Sequence, residues 1–88
     1  SDEKAMRAIY WLRDNGYRVP EDISVVGYDG LRIGDFYVPK LTTISQSVEL
    51  LAKCSFELLI SCMQGAPAQH LTVPFRLLRR QSVRQITE

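Results

Sequence analysis

The sequence predicts an α/β fold, a mainly parallel sheet flanked by helices. Three observations lead there. Two stretches, near Ala5–Leu12 and Val48–Cys62, repeat apolar residues at helical spacing. Short β-branched runs bounded by turn residues lie between and after them. The resulting order is helix, strand, irregular segment, strand, helix, strand, the alternation that layered α/β proteins use.

The stretch from Val19 to Gly30 is central. Pro20 biases the residue before it away from helix. Ile23, Val25, Val26 and Tyr28 then read as a strand buried on both faces, as in a parallel sheet. Gly27 removes a side chain where another group must come close to the backbone. Asp29 arrives as the strand ends, followed by Gly30. Ligands of open α/β sheets sit outside the carboxyl ends of strands, so Asp29 is the first candidate for a ligand contact. An Asp-Gly pair that merely forms a turn is the alternative.

Taken in order, Ser1 or Asp2 can cap the first helix, with Glu3 favourably placed in its first turn. Ala5, Ala8, Ile9 and Leu12 form its stripe, and Asn15-Gly16 stops it. Met6, Tyr10 and Trp11 fall partly outside the stripe, which suggests a second burial surface or a wide core. Leu31 to Lys40 has no period, yet carries Leu31, Ile33, Phe36, Tyr37 and Val38, apolar weight that wants a packing partner. Leu41 to Ile44 reads as the second strand. Ser45 or Ser47 caps the second helix, whose apolar face is Val48, Leu51, Ala52, Ser55, Leu58, Leu59 and Cys62, and which ends at Gly65. Leu71, Val73, Phe75 and Leu77 alternate as in a half-exposed strand, placed at an edge or bend by Pro74. From Arg79 onward the polar chain is expected to fray.

The totals narrow the function. A chain of 88 residues holds one small domain and hides only roughly 60–65 % of its unfolded surface. Its net charge of +1 points to neither nucleic acid nor an anionic membrane. No membrane span or signal-peptide pattern is present. Cys54 and Cys62 would stand about 12 Å apart along one helix, too far for a disulfide, so buried reduced thiols and a cytoplasmic setting are expected. With His70 the only histidine, no metal is expected, and no cofactor either. There is no GxSxG, no P-loop and no histidine paired with a nucleophile, so an enzyme is not expected. The chain opens on Ser1 without Met. This hints at a piece of something longer, as against a small α/β domain complete in itself.

Gly16-Tyr17-Arg18-Val19-Pro20-Glu21-Asp22-Ile23-Ser24-Val25-Val26-Gly27-Tyr28-Asp29 resembles the "GxxVPxDISVVGYD" signature of the LacI/GalR family of bacterial transcriptional regulators. The likeness continues in register. Pro39 with Leu41-Thr42-Thr43-Ile44 and Gln46 is similar to "PxLTTIxQ", Leu77 to Ser82 resembles the closing "LIxRxS", and Ser1-Asp2 matches an "ND" or "SD" after an earlier strand.

The resemblance implies a periplasmic-binding-protein-like core (type I), two α/β lobes closing on a sugar or nucleoside effector. Residues 1–88 would be the C-terminal portion of that effector-binding core. The first lobe and the N-terminal helix-turn-helix that reads operator DNA would lie outside it. By the same match Asp29 is the ligand-binding aspartate, Ser1 a further ligand contact and Gln46 a supporting residue. Met6, Ile33, Phe36 and Tyr37 fall in the family's homodimer interface. Arg79 and Arg80 fall where the family closes its core rather than contacts DNA. One departure is Gly30, where many members carry a second acidic or amide residue. The alternative from another class is a secreted solute receptor of a transporter, which shares the fold.

Overall fold

The computed structural model describes residues 1–87. Its elements are helix α1 (Asp2–Asp14), strand β1 (Val26–Asp29), a 3-10 turn (Arg32–Asp35), strand β2 (Thr42–Gln46), helix α2 (Val48–Met63) and strand β3 (Phe75–Leu78). The sheet order is β1-β2-β3, and β1 runs parallel to β2 with Val26 opposite Thr42 and Asp29 opposite Ser45. The chain divides into two compact units, Ser1–Ser45 with the stretch from Arg76 on, and Gln46–Phe75.

In the first unit, α1 starts where Ser1 accepts the Lys4 N–H at 3.2 Å and ends at Asn15, whose side chain donates to the Trp11 carbonyl at 2.8 Å. Acidic Asp2 and Glu3 stand in its first turn, where the helix dipole favours them. Glu3 also pairs with Arg7 one turn on. Ala5 and Ile9 enter the core with Leu41, and Met6, Val19, Val25 and Tyr37 pack around them. Ala8, expected in the stripe, is exposed. The signature turn before β1 has a local cause. Asp22 accepts two guanidinium N–H bonds from Arg18 at 3.2 and 3.1 Å and the Arg18 backbone N–H at 2.8 Å, and these hold its carboxyl below the ordinary carboxylate range.

The first strand departs from the reading in two ways. It begins at Val26 rather than Ile23, and only one of its faces is covered. Gly27 is buried on the face that meets α1, whereas Val26 and Tyr28, on the other face, are 52 % and 47 % exposed. The close approach expected at Gly27 is real: a Cβ there would lie 2.3 Å from an Asp2 carboxylate oxygen and 2.9 Å from Leu41 Cδ2.

The C-terminal stretch was expected to fray, and the structure corrects this. Ser82 is fully buried; its hydroxyl donates to the Val25 carbonyl at 2.6 Å and accepts the Thr42 N–H at 2.8 Å. Val25 N–H donates to the Ser82 carbonyl at 2.9 Å, and Gln81 N–H to Lys40 at 2.9 Å. Arg80 donates its backbone N–H to Thr42 Oγ1 at 3.0 Å and its guanidinium to the Leu41 carbonyl at 3.1 Å, so it closes the core. Polar composition reads as a loose end, but here it supplies donors and acceptors to otherwise open segments on either side. Ser82→Ala is therefore expected to lower stability by about 1–3 kcal/mol, because it leaves the buried Thr42 N–H and the half-buried Val25 carbonyl without this partner. Urea unfolding checks this, and a change within experimental error would contradict it.

In the second unit Ser47 caps α2, its hydroxyl accepting the Leu50 N–H at 3.2 Å. The expected apolar face is not buried. No residue of α2 is fully covered, and Val48, Phe56, Leu59 and Met63 are exposed. The cysteines, expected to be buried, are half-buried at Cys54 and exposed at Cys62. Apolar periodicity reports which face wants cover, and residues 46–75 contain only this helix and an extended return segment to supply it. Of the alternating Leu71, Val73, Phe75 and Leu77 only Val73 is buried, and the strand is confined to the four residues after Pro74.

Candidate functional site

Asp29 is the last residue of β1, and with β2 parallel it stands at the carboxyl edge of the sheet opposite Ser45. Its side chain is exposed, and among the described residues nothing donates to or pairs with its carboxylate. Its backbone is unusual. The φ of 143° lies where L residues are rarely found. Such a conformation costs about 1–3 kcal/mol and persists only where neighbouring structure imposes it.

Neighbouring structure does so here. Gly30 follows at φ 77°, and a Cβ on it would come within 2.6 Å of Ser45 Cβ and Oγ. That explains the departure at this position: the turn passes so close to β2 that an acidic or amide side chain does not fit. The Gly30 N–H donates to Thr43 Oγ1 at 3.2 Å. The Leu31 N–H donates to Asp2 Oδ2 at 2.6 Å, and the Thr43 hydroxyl donates to Asp2 Oδ1 at 2.5 Å. Asp2 is fully buried. The sequence marked Asp2 only as a cap candidate. Its pairing with Gly27 and Thr43 spans too much chain for local pattern to reveal.

The other candidate residues fall as follows. Ser1 lies in the first unit, its hydroxyl engaged as the α1 cap. Gln46 lies in the second unit and donates its amide to the Val73 carbonyl at 3.2 Å. Met6, Ile33 and Tyr37 come together in an apolar groove of about 480 Å³, lined also by Glu3, Arg7 and Tyr10. The Tyr37 hydroxyl donates to the Met6 carbonyl at 3.1 Å. Phe36 is 73 % exposed and stands outside that lining. Among the described residues no group of three or more His, Cys, Asp and Glu side chains is placed to hold a metal, and no helix is long and apolar enough to cross a membrane.

With β1 and β2 parallel, Asp29 stands at the edge outside which open α/β sheets place their ligands. The periplasmic binding protein-like domain family matches residues 1–83, and the chain belongs to that family. It is 42 % identical over 84 residues to the HTH-type transcriptional repressor PurR of Photorhabdus laumondii, covering 93 % of this chain and 25 % of the repressor. Among solved structures it resembles the lac repressor dimer bound to operator and the anti-inducer ONPF, with TM-score 0.83 and 37 % identity over 94 % of this chain and 29 % of that one. It also resembles the transcriptional regulator CelR in complex with cellobiose, with TM-score 0.83 and 32 % identity over 93 % of this chain and 26 % of that one. The LacI-type likeness therefore holds in sequence and in fold. The chain spans about a quarter of the length of the curated relatives it matches.

Proposed function

We propose that residues 1–88 are the C-terminal portion of the effector-binding core of a LacI-type transcriptional regulator, and that this portion binds a small molecule and dimerises. The observation that carries the reading is the Asp29 carboxylate, exposed and unpaired among the described residues at the strand end. Two acceptor oxygens suit a pair of neighbouring sugar hydroxyls, or the donors of a nucleoside. An effector bound there shifts the balance between lobe arrangements, because it favours one over the other. In the dimer that shift changes how two helix-turn-helix headpieces meet paired operator half-sites.

Two further observations support the reading. The groove of Met6, Ile33 and Tyr37, with exposed Phe36 beside it in sequence, offers apolar weight suited to a second copy of the chain. The uncovered face of α2 suits docking on a first lobe supplied by the rest of the regulator. The role is binding rather than catalysis. Reduced Cys54 and Cys62 and the regulator-type relatives favour a cytoplasmic protein over the solute receptor of a transporter.

Calorimetric titration of a panel of sugars and nucleosides tests the proposal. The complete regulator is expected to bind one of them and to change its operator affinity in response. Residues 1–88 alone are expected to bind neither operator nor effector tightly, since one wall of the cleft is absent. A sub-micromolar effector site in residues 1–88, or a complete protein that binds none of the panel, would contradict it.

A further inference from the structure

The Asp29 side chain is aimed by a backbone turn, and that turn is gripped from the start of α1. We propose that Asp2 is the positioning residue for Asp29, holding the two peptide groups that follow it through a buried carboxylate. The role assigned to Asp29 rests on the effector reading above; the grip itself does not.

The geometry suits a carboxylate, which accepts at both oxygens. One Asp2 oxygen accepts the Leu31 N–H at 2.6 Å and the other accepts the Thr43 hydroxyl at 2.5 Å. Thr43 Oγ1 in turn accepts the Gly30 N–H at 3.2 Å. Both N–H groups after Asp29 are thus fixed from one buried group, directly or through one hydroxyl. An amide in place of the carboxylate has a single acceptor oxygen; with that oxygen on the Leu31 N–H, its NH2 faces the Thr43 hydroxyl, which must turn its proton away and exchange a charge-assisted bond for a weaker neutral one. A first-turn acid is often explained by the helix dipole alone, but exposed Glu3 already meets that preference. The dipole accounts neither for the complete burial of Asp2 nor for the space cleared at Gly27, where a Cβ would lie 2.3 Å from Asp2 Oδ1.

The same helix holds the following segment further along. The Met6 carbonyl accepts from the Tyr37 hydroxyl, and Arg13 donates to the Val38 carbonyl. Asp2 is the first of these ties and the one nearest the strand end. Without it the turn loses the contacts that impose φ 143° on Asp29, and the residue relaxes to ordinary extended backbone.

The test is NMR on isotopically labelled residues 1–88, with no ligand present. The three-bond HN–Hα coupling of Asp29 is small at its present φ and large in ordinary extended backbone. In Asp2→Asn and in Thr43→Val, the coupling is expected to become large, and the Leu31 amide to exchange about tenfold faster or more. The amides of Ile9 and Leu41 are expected to keep their protection, which separates loss of positioning from loss of fold. Should Asp2→Asn not fold, Thr43→Val and Gly27→Ala carry the test; the latter displaces the carboxylate while removing no hydrogen-bonding group. An Asp29 coupling unchanged in the folded variants would overturn the proposal. A changed coupling in a regulator that binds no effector would keep the role of Asp2 and remove the effector reading instead.

Discussion

Replacing Ile9 with alanine is expected to lower the unfolding free energy of the chain by about 2–5 kcal/mol. Ile9 is fully buried and sits with Ala5 and Leu41 in a core that Met6, Val19, Val25 and Tyr37 only partly enclose. Three methyl or methylene groups would leave that core, and a framework packed from both a helix and a sheet edge cannot collapse fully into the gap. The loss is large against the whole. At 0.05–0.15 kcal/mol per residue, an 88-residue chain has about 4–13 kcal/mol to lose. Urea unfolding should show a lower midpoint with unchanged slope. Leu59→Ala on exposed α2 should change the unfolding free energy of the isolated chain by less than about 0.5 kcal/mol. A loss below about 1 kcal/mol at Ile9 would mean that the small core does not hold the first unit together.

The second large effect concerns Asp29 and has two opposite signs. Asp29→Gly removes the carboxylate and also relieves a backbone angle that suits glycine. Stability should hold or rise by about 1 kcal/mol, since a strained L residue costs about 1–3 kcal/mol in such a region and glycine gives back part through its freer unfolded chain. Effector affinity should move the other way. Hydrogen bonds to a charged acceptor contribute about 1.5–3 kcal/mol each, so losing a bidentate pair weakens binding by about a hundredfold or more. A substitution that stabilises the fold while disabling the site is the pattern expected where strain is kept for function.

Local signals made much of this structure legible. The helix caps, the Asn15-Gly16 stop and the second strand each depend on a few adjacent residues; of the paired cap candidates Ser1 and Ser47 serve, and the strand read over Leu41 to Ile44 runs Thr42–Gln46. Asp29 could be picked out because a strand followed by Asp-Gly marks its own carboxyl end. What stayed hidden depends on distant partners. Asp2 reads as a candidate helix cap until Gly27 and Thr43 are brought against it. Ser82 sits in a polar tail whose fate is set by Val25 and Thr42, far earlier in the chain. Val26, Tyr28 and the α2 face show the opposite limit. Their apolar character announces a need for cover, but pattern alone does not say whether this stretch of chain provides it.

The Asp29 carboxylate is the centre of this account, and Asp29→Gly in the complete regulator tests it most directly. Effector dissociation constants for wild type and variant, measured beside operator affinity without effector, decide the matter. The account predicts effector binding weakened by about a hundredfold or more, with operator affinity in the absence of effector unchanged. Effector binding that survives the substitution at full strength would place the ligand elsewhere and contradict it.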